Sequence, residues 1–467
     1  MRVRRRDVLK VATSSAAAAA AATITGKNAW AFAPTKIVRD VVVLGGGSAG
    51  TYTAVRLRNL GKSVVVLEKQ GRLGGHTQTE TVNGVPIDIG VQVFEGLNPL
   101  VKAYCAQLNV PLVNATLGGG PPGVNVDFRT GDPVAIPPTD PVALGTALGT
   151  YLHVLQTQFP YLDSGFNLPN PVPPDLLAPF GDFVTKYGLD PLVPTGFSFG
   201  QGAGDFLGDP AIYVLKLFSL AVASAIATST FVNVPTGNSS IYDAAAAFLG
   251  GDAIVDATII AVLRGPNGVE VLAETPNGPV CVRAGKVVVA FPPTLLNLAP
   301  LLPDPLELSL FSRFKSNYYG TSLVQVSGLP PFTAINNVAA GTRDNLPVLP
   351  GLYGLEPTPL EGYYVALYGN TSFLPDNFVK NDIVSSINRL ASSGTFPNAQ
   401  FGGFTVFSGH APFEMMVSAN DIAAGFYSKV NALQGHNRTY YTSAAFQTND
   451  SSQIWRFTEE LLPQIAS

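Results

Sequence analysis

The chain has 467 residues, 46% of them hydrophobic and only 13% charged, enough apolar material for a large buried core shared among two or three domains. With 28 basic against 32 acidic residues and a net charge of −4, it has no cationic excess to track a phosphate backbone, so nucleic acid is excluded as a partner class. Its two cysteines cannot form a disulfide framework, and the four histidines (His76, His153, His410, His436) show no metal-ligand spacing, so no metal is expected.

The chain opens on "MRVRRRDVLKVATSSAAAAAAATITGKNAWAFA", basic at first, then alanine-rich, then Ala29-Trp30-Ala31 as a small-residue cleavage site. Residues 1–31 read as a targeting signal and not as part of the fold. Arg5-Arg6-Asp7-Val8-Leu9-Lys10 is similar to the twin-arginine export motif, which implies an exported protein, periplasmic or extracellular. An ordinary secretory signal and an organellar transit peptide fit the same composition. The alanine run has too few large apolar side chains for a membrane anchor.

The first motif with chemical content is "VVVLGGGSAGTY", Val41 to Tyr52. An aliphatic strand runs into Gly45-Gly46-Gly47-Ser48-Ala49-Gly50, with Gly45, Gly47 and Gly50 in the G-x-G-x-x-G places that let a strand turn sharply and a pyrophosphate approach the backbone. That pyrophosphate would rest on the free N–H groups of the following helix, expected over Thr51 to Leu60 and stopped by Gly61. "SVVVLE" is then a second buried parallel strand. It closes on Glu68, 18 residues after Gly50, where a carboxylate can accept from a ribose diol and would repel a 2′-phosphate.

The next stretch, "KQGRLGGHTQT", selects the cofactor by resemblance. Strand-end Glu68 and Lys69, then Arg72, Gly74, Gly75 and Thr79, resemble the FAD-binding segment of the flavin-containing amine oxidase superfamily, with His76 where that family usually has an arginine. Asp88 and Gly90 in "IDIG" are similar to the element that follows in the same family. The resemblance implies FAD and an α/β fold: a discontinuous Rossmann-like FAD-binding domain (37–125, 231–293 and 406–467) with an inserted α+β substrate domain (126–230 and 294–405).

Further along, "LFSLAVASAIATSTFVNV", Leu217 to Val234, carries no charge over 18 residues. Its small and hydroxylated residues favour one buried helix of the substrate domain over a membrane span, and no stable span is expected. Hairpins are expected through Pro266-Asn267-Gly268 and Pro276-Asn277-Gly278, then a buried strand Val287 to Ala290. The family pattern nominates Ile259 for backbone contact with adenine.

Tyr318, Tyr319, Tyr363, Tyr364 and Phe94 supply aromatic surface for a pocket, and His410 in "SGHAPFEMM" lies on an expected pocket strand. His410, Phe94 and Tyr319 are the catalytic candidates. The segment "FKSNYYGTSLVQVSG" has no lysine beyond Lys315 where amine oxidases commonly keep one near flavin N5, and no acidic cluster stands out to hold an ammonium. A hydrophobic small molecule giving hydride to flavin N5 is therefore the expected substrate. The electron acceptor is not specified.

The closing segment, "GFYSKVNALQGHNRTYYTSAAFQTNDSSQIWRFTEELL", resembles the group that contains β-cyclopiazonate dehydrogenase and a bacterial polyunsaturated fatty acid isomerase. Thr439 to Thr442 reads as a strand, Ser443-Ala444-Ala445 as a small-residue turn, and Asp450 or Ser451 as N-cap of a helix to about Leu462. The resemblance brings this turn and the helix start, with Ser451 and Ser452, to the flavin. Four activities compete: an FAD-dependent dehydrogenase or oxidase, a double-bond isomerase of an unsaturated fatty acid, an amine oxidase, and a non-catalytic flavin-binding protein.

Overall fold

The computed structural model describes residues 34–115 and 121–467; residues 1–31, expected from the sequence to be a targeting signal, lie outside them. Two sheets organise the chain. In the first, the order is Thr258–Gly265, Gly268–Thr275, Gly278–Val289, Thr35–Leu44, Val64–Leu67 and Ala253–Ile254, with Thr439–Tyr441 also beside Gly278–Val289. Thr35–Leu44 pairs in parallel with both neighbours, and Val41 to Leu44 and Val64 to Leu67 are wholly buried. Helices cover both faces of such a parallel core, which is why these strands read as unbroken β-branched runs without alternation.

The crossover between Leu44 and Val64 is the helix Ser48–Asn59, which starts three residues earlier than its sequence pattern indicates because Ser48-Ala49-Gly50 already adopt helical geometry. It ends at Leu60-Gly61, Gly61 holding φ +77°. The C-terminal helix Ser451–Ala466 packs against it, with Trp455 stacked on Tyr52 at 5.2 Å and its Nε1 donating to Ser48 O at 3.3 Å. The two hairpins occur as expected, and the strand Gly278–Val289 continues from hairpin arm to parallel neighbour of Thr35–Leu44.

The second sheet runs Gln400–Gly409, Tyr318–Ser327, Tyr363–Asn370, Gly351–Pro357, Ile335–Asn337 and Val124–Val126. Helix Asp376–Ser392 covers it. Val379, Ile383, Ile387 and Leu390 lie four, four and three residues apart, one stripe at helical period, and all are fully buried. At about 1.5–3 kcal/mol for each such side chain, that stripe accounts for the docking of the helix. Tyr318 and Tyr364 belong to this second core, and the Tyr364 hydroxyl donates to Pro330 O at 3.2 Å, so neither faces a pocket.

The uncharged run at Leu217 to Val234 is not one helix. Helices Ala211–Leu217 and Leu220–Thr228 meet at a 44° bend, and Phe231–Asn233 is a strand. The break is local: Ser219 leaves helical geometry and caps the second helix, its side chain accepting from Val222 N. Among the described residues, no single helix is long and apolar enough to cross a membrane.

Candidate active site

The glycine loop is built around its own backbone. Gly45 turns off the strand with φ +97°, and a Cβ on Gly50 would stand 1.9 Å from Gly45 O, so the close contact of turn and helix requires glycine there. A Cβ on Gly47, in contrast, would meet only Gly75 Cα at 3.9 Å. That is space beside the backbone that no protein atom fills. The first helical hydrogen bond runs from Thr51 N to Gly47 O, which leaves the N–H groups of Ser48, Ala49 and Gly50 without an acceptor in the helix.

Glu68 is nearly buried at the end of its strand, with Oε2 accepting from Gly46 N at 2.5 Å and Oε1 from Gln70 N at 2.7 Å. A carboxylate has about four lone-pair sites, so both oxygens can still accept from a diol. Arg72 is spent on the loop itself: its guanidinium donates to Leu73 O, Gly75 O and Thr77 O at 2.9–3.1 Å. It shapes the Gly74-Gly75 turn, which is bridged in parallel to Gly47. Lys69 is exposed. Ile259 lies at a bulge in its hairpin, two residues beyond Ala257, whose N–H donates to Glu68 O at 2.7 Å; the strand directly beside Val64–Leu67 is Ala253–Ile254.

The C-terminal segment closes the same cleft. Thr439–Tyr441 is the strand, Ala444–Phe446 a single 3-10 turn after Ser443, and Asp450 the N-cap, its side chain accepting from Gln453 N. Ser451 and Ser452 form the first turn and are buried, as is Ala445. The indole bond to Ser48 brings this helix start to the glycine loop, so two helix N-termini converge.

The hydroxyls of Ser48, Ser443 and Thr448 are buried without a hydrogen-bond partner among the described residues. Three orphaned hydroxyls and a bare glycine face around two positive helix ends fit an anionic pyrophosphate and a neutral polyol such as the ribityl chain of FAD. The residues present therefore fit the cofactor.

His76 is exposed in the turn after Gly74-Gly75, with the rings of His410 and Phe413 packed on it at 4.4 and 6.0 Å. Desolvation lowers its pKa to about 4, with Lys69 and Arg72 adding to the effect. It stacks on His410, and Tyr319 and Phe413 flank His410 at ring separations of 5.9 and 6.4 Å. His410 follows the strand Gln400–Gly409 directly and its Nε2 lies 3.4 Å from Thr321 Oγ1. Burial lowers its pKa too, followed by the charge of His76. Two of the three catalytic candidates, His410 and Tyr319, are thus on one wall. Phe94 is not with them: it is 1% exposed, its ring in the core against Trp455, with no face left for a substrate. Tyr363 lies at a half-exposed position, accepting from Gln325 Nε2.

The structure also gathers buried ionisable groups that the sequence pattern does not single out. Glu95 and Glu414 are almost completely buried, and desolvation raises them to about 8 and about 7. Glu414 accepts from Asn449 Nδ2 at 2.5 Å, one residue from the N-cap. Lys216 is buried as well, its ammonium donating to Leu162 O, Gly165 O and Gln447 Oε1, each at 2.7 Å. Sequence offers no signal for these, since acids and lysines scattered over distant segments become neighbours only through the fold.

A family model described as flavin containing amine oxidoreductase matches residues 48–343. An FAD-dependent oxidoreductase of Cochliobolus heterostrophus is 36% identical, the match covering 97% of this chain and 96% of that protein. Beta-cyclopiazonate dehydrogenase of Aspergillus oryzae is 33% identical over 92% of this chain and 94% of its own length. Among solved structures, a CLA-producing fatty acid isomerase from P. acnes shares the fold with a TM-score of 0.74 at 16% identity, covering 91% of this chain and 98% of that one.

Proposed function

The chain belongs to the flavin containing amine oxidoreductases, and within that family we propose that it is an FAD-dependent oxidoreductase taking hydride from a carbon of an apolar small molecule. FAD supplies the two-electron acceptor; the chain's residues bind it, enclose the substrate and hold the local protons. The glycine loop and the helix start at Ser48 would hold the pyrophosphate, the start of the C-terminal helix would lie toward the flavin, and Glu68 would accept from the ribose.

The observation that carries the substrate class is the wall formed by His76, His410, Tyr319 and Phe413. Desolvation keeps both imidazoles neutral at physiological pH, so these four side chains offer rings and neutral nitrogens, and desolvation raises the pKa of the neighbouring carboxyls, Glu356 near Tyr319 and Glu414 after Phe413. An ammonium brought against such a surface would lose its hydration without a partner, at a cost of several kcal/mol. A flat or unsaturated apolar substrate would lose nothing comparable. The isomerase reading is not favoured, because the extensive sequence relatives are named oxidoreductases and dehydrogenase, whereas the isomerase likeness is one of fold alone.

Anaerobic mixing of holoprotein with candidate substrates, followed by flavin absorbance, tests the proposal. Lasting bleaching by apolar alkenes or aromatic metabolites is expected. Rapid bleaching by simple amines alone would overturn the substrate class, and a shifted double bond without net reduction would favour the isomerase.

We also propose export, on the basic start, the alanine run and Ala29-Trp30-Ala31. The mature chain would begin near Phe32. N-terminal sequencing of secreted and cellular fractions tests it: an intact Met1 on the functional pool would refute processing, and normal export of an Arg5→Lys, Arg6→Lys variant would refute the twin-arginine route.

A further inference from the structure

Glu95 ends the two-residue strand Phe94–Glu95 and Asp450 caps the C-terminal helix, so 355 positions of sequence separate two carboxyl groups that one glutamine joins. Gln453 donates its backbone N–H to Asp450 Oδ1 at 3.0 Å and its side-chain Nε2 to Glu95 Oε1 at 2.6 Å. The other Glu95 oxygen receives Asn98 Nδ2 at 3.3 Å, and Glu95 N donates to Ser452 Oγ at 3.3 Å. Two side-chain amides satisfy the Glu95 carboxyl, the Ser452 hydroxyl takes its backbone N–H, and no cation forms a salt bridge with it among the described residues.

One cation acts on both carboxyls: the charge of Arg456, on the same helix, lowers each, but its guanidinium is ion-paired with Asp163 at 3.2 Å and bonds to neither. The adjoining strand Phe231–Asn233 and the helix Leu220–Thr228 contain no ionisable residue. Helix Pro99–Gln107 carries an exposed Lys102 and the buried Tyr104 and Cys105, both of which desolvation keeps protonated. Two neighbouring carboxylates, Glu95 buried and Asp450 partly so, with a single cation already engaged by Asp163, cannot both stay ionised at little cost.

We propose that Glu95 and Asp450 hold one proton between them beside the flavin and so couple the cofactor's reduction to proton uptake by the protein. The inference rests on the FAD-dependent reading above. Three observations place the pair against the cofactor's cleft: the indole bond that draws the helix start to Ser48, and the unpartnered hydroxyls of Thr448 and Ser443, both more than nine-tenths buried, on the approach to Asp450. Desolvation is the main cause of the elevated Glu95 pKa, about 8, with the Asp450 charge second; Asp450 is raised in turn by desolvation.

The balance is simple. At neutral pH the pair carries one proton and one negative charge, in oxidised and reduced protein alike. Above the Glu95 pKa the oxidised protein has both carboxylates ionised. Two electrons arriving from the substrate then raise the pair's proton affinity, and one proton from solvent binds the Glu95 carboxylate. Glu95 is on this account a positioning residue for charge and makes no bond to substrate.

The test is the midpoint potential of the holoprotein between pH 6 and 10, for wild type, Glu95→Gln and Asp450→Asn. Wild type should show a steeper fall above about pH 8. Glu95→Gln, which mimics the protonated acid, should keep a single slope there. Asp450→Asn, with asparagine still able to cap the helix, should move the break to lower pH because Glu95 loses its neighbouring anion. A break unchanged in Glu95→Gln, or unmoved in Asp450→Asn should the first variant not fold, overturns the pairing while leaving the FAD reading intact. Folded protein that takes up no flavin overturns the FAD reading and the pairing with it.

Discussion

The imidazole of His76 lies face to face with that of His410, ring centroids 4.4 Å apart and planes inclined by 13°. One ring comes from the glycine-rich turn that follows strand Val64–Leu67 of the first sheet and the other from the residue after strand Gln400–Gly409 of the second, so this contact joins segments that flank the two sheets. Stacked imidazoliums would repel, and desolvation already disfavours the charge on each.

A pH dependence follows for the cofactor-free protein. The folded pKa of His76, about 4, lies below its unfolded value near 6.5, so the unfolded chain binds the proton first as pH falls. Its contribution to stability is complete above about 6.5 and is lost progressively toward 4. Urea unfolding at pH 7.5 and 5.0 should show a drop in midpoint for wild type and a smaller drop for His76→Gln. Equal drops would mean that His76 titrates normally.

The two glycines of the loop should separate folding from cofactor binding. Gly50→Ala puts a methyl 1.9 Å from Gly45 O, so the loop must shift and stability should fall by roughly 1–3 kcal/mol, the usual cost of overpacking. Gly47→Ala meets nothing closer than 3.9 Å in the protein and should leave the apoprotein's thermal midpoint nearly unchanged. It should nevertheless abolish flavin binding, because its methyl occupies the pyrophosphate's space. Thermal melting and flavin content, measured on both variants, check the contrast.

What the sequence displays and what it hides divide along physical lines. The strand, glycine loop and strand from Val41 to Glu68 are legible because each step depends on neighbours within a few residues, and the Asp450 cap is legible for the same reason. The break at Phe218-Ser219 is not, since an uncharged run reads alike whether straight or bent. Phe94 and Tyr319 look equivalent as aromatic residues, yet one is enclosed by Trp455 and the other faces His410. The pairing of Glu95 with Asp450 depends on a helix packing across the glycine loop, which no local pattern encodes.

Lys216 should prove structural out of proportion to a single side chain. Its ammonium fills three acceptors from two segments, Leu162 O, Gly165 O and Gln447 Oε1, although burial lowers its pKa to about 7. Lys216→Met keeps much of the stem's volume and leaves those acceptors unpaired, at a cost of about 3 kcal/mol if each loses roughly 1 kcal/mol. Lys186→Met, which removes an exposed ion pair to Asp175, should change stability little. Urea denaturation of the two variants makes the comparison, and similar losses would show that the buried contacts are replaced by water.

The buried pair of Arg264 and Glu307 should couple the first sheet to the segment that leads into the second. Arg264 donates from Nη1 and Nη2 to the two Glu307 oxygens at 2.6 and 2.8 Å, with side-chain exposures of 5% and 0%. Tyr441 donates to Glu307 Oε1 at 2.8 Å, and Glu307 also completes a capping box with Asp304. Burial pushes the Glu307 pKa up, but the Arg264 hydrogen bonds and charge outweigh it and hold the carboxyl below its usual range. Its stabilising contribution is therefore present at pH above about 4.5 and lost as pH falls through the lower folded value. Removing one charge strands the other: Glu307→Leu or Arg264→Met should each cost about 3–5 kcal/mol at pH 7. The double variant Arg264→Met, Glu307→Leu should lose clearly less than the two single losses added together, because neither charge is left alone. Denaturant unfolding of the four proteins at pH 7 closes the cycle, and additive losses would show that the two residues act independently.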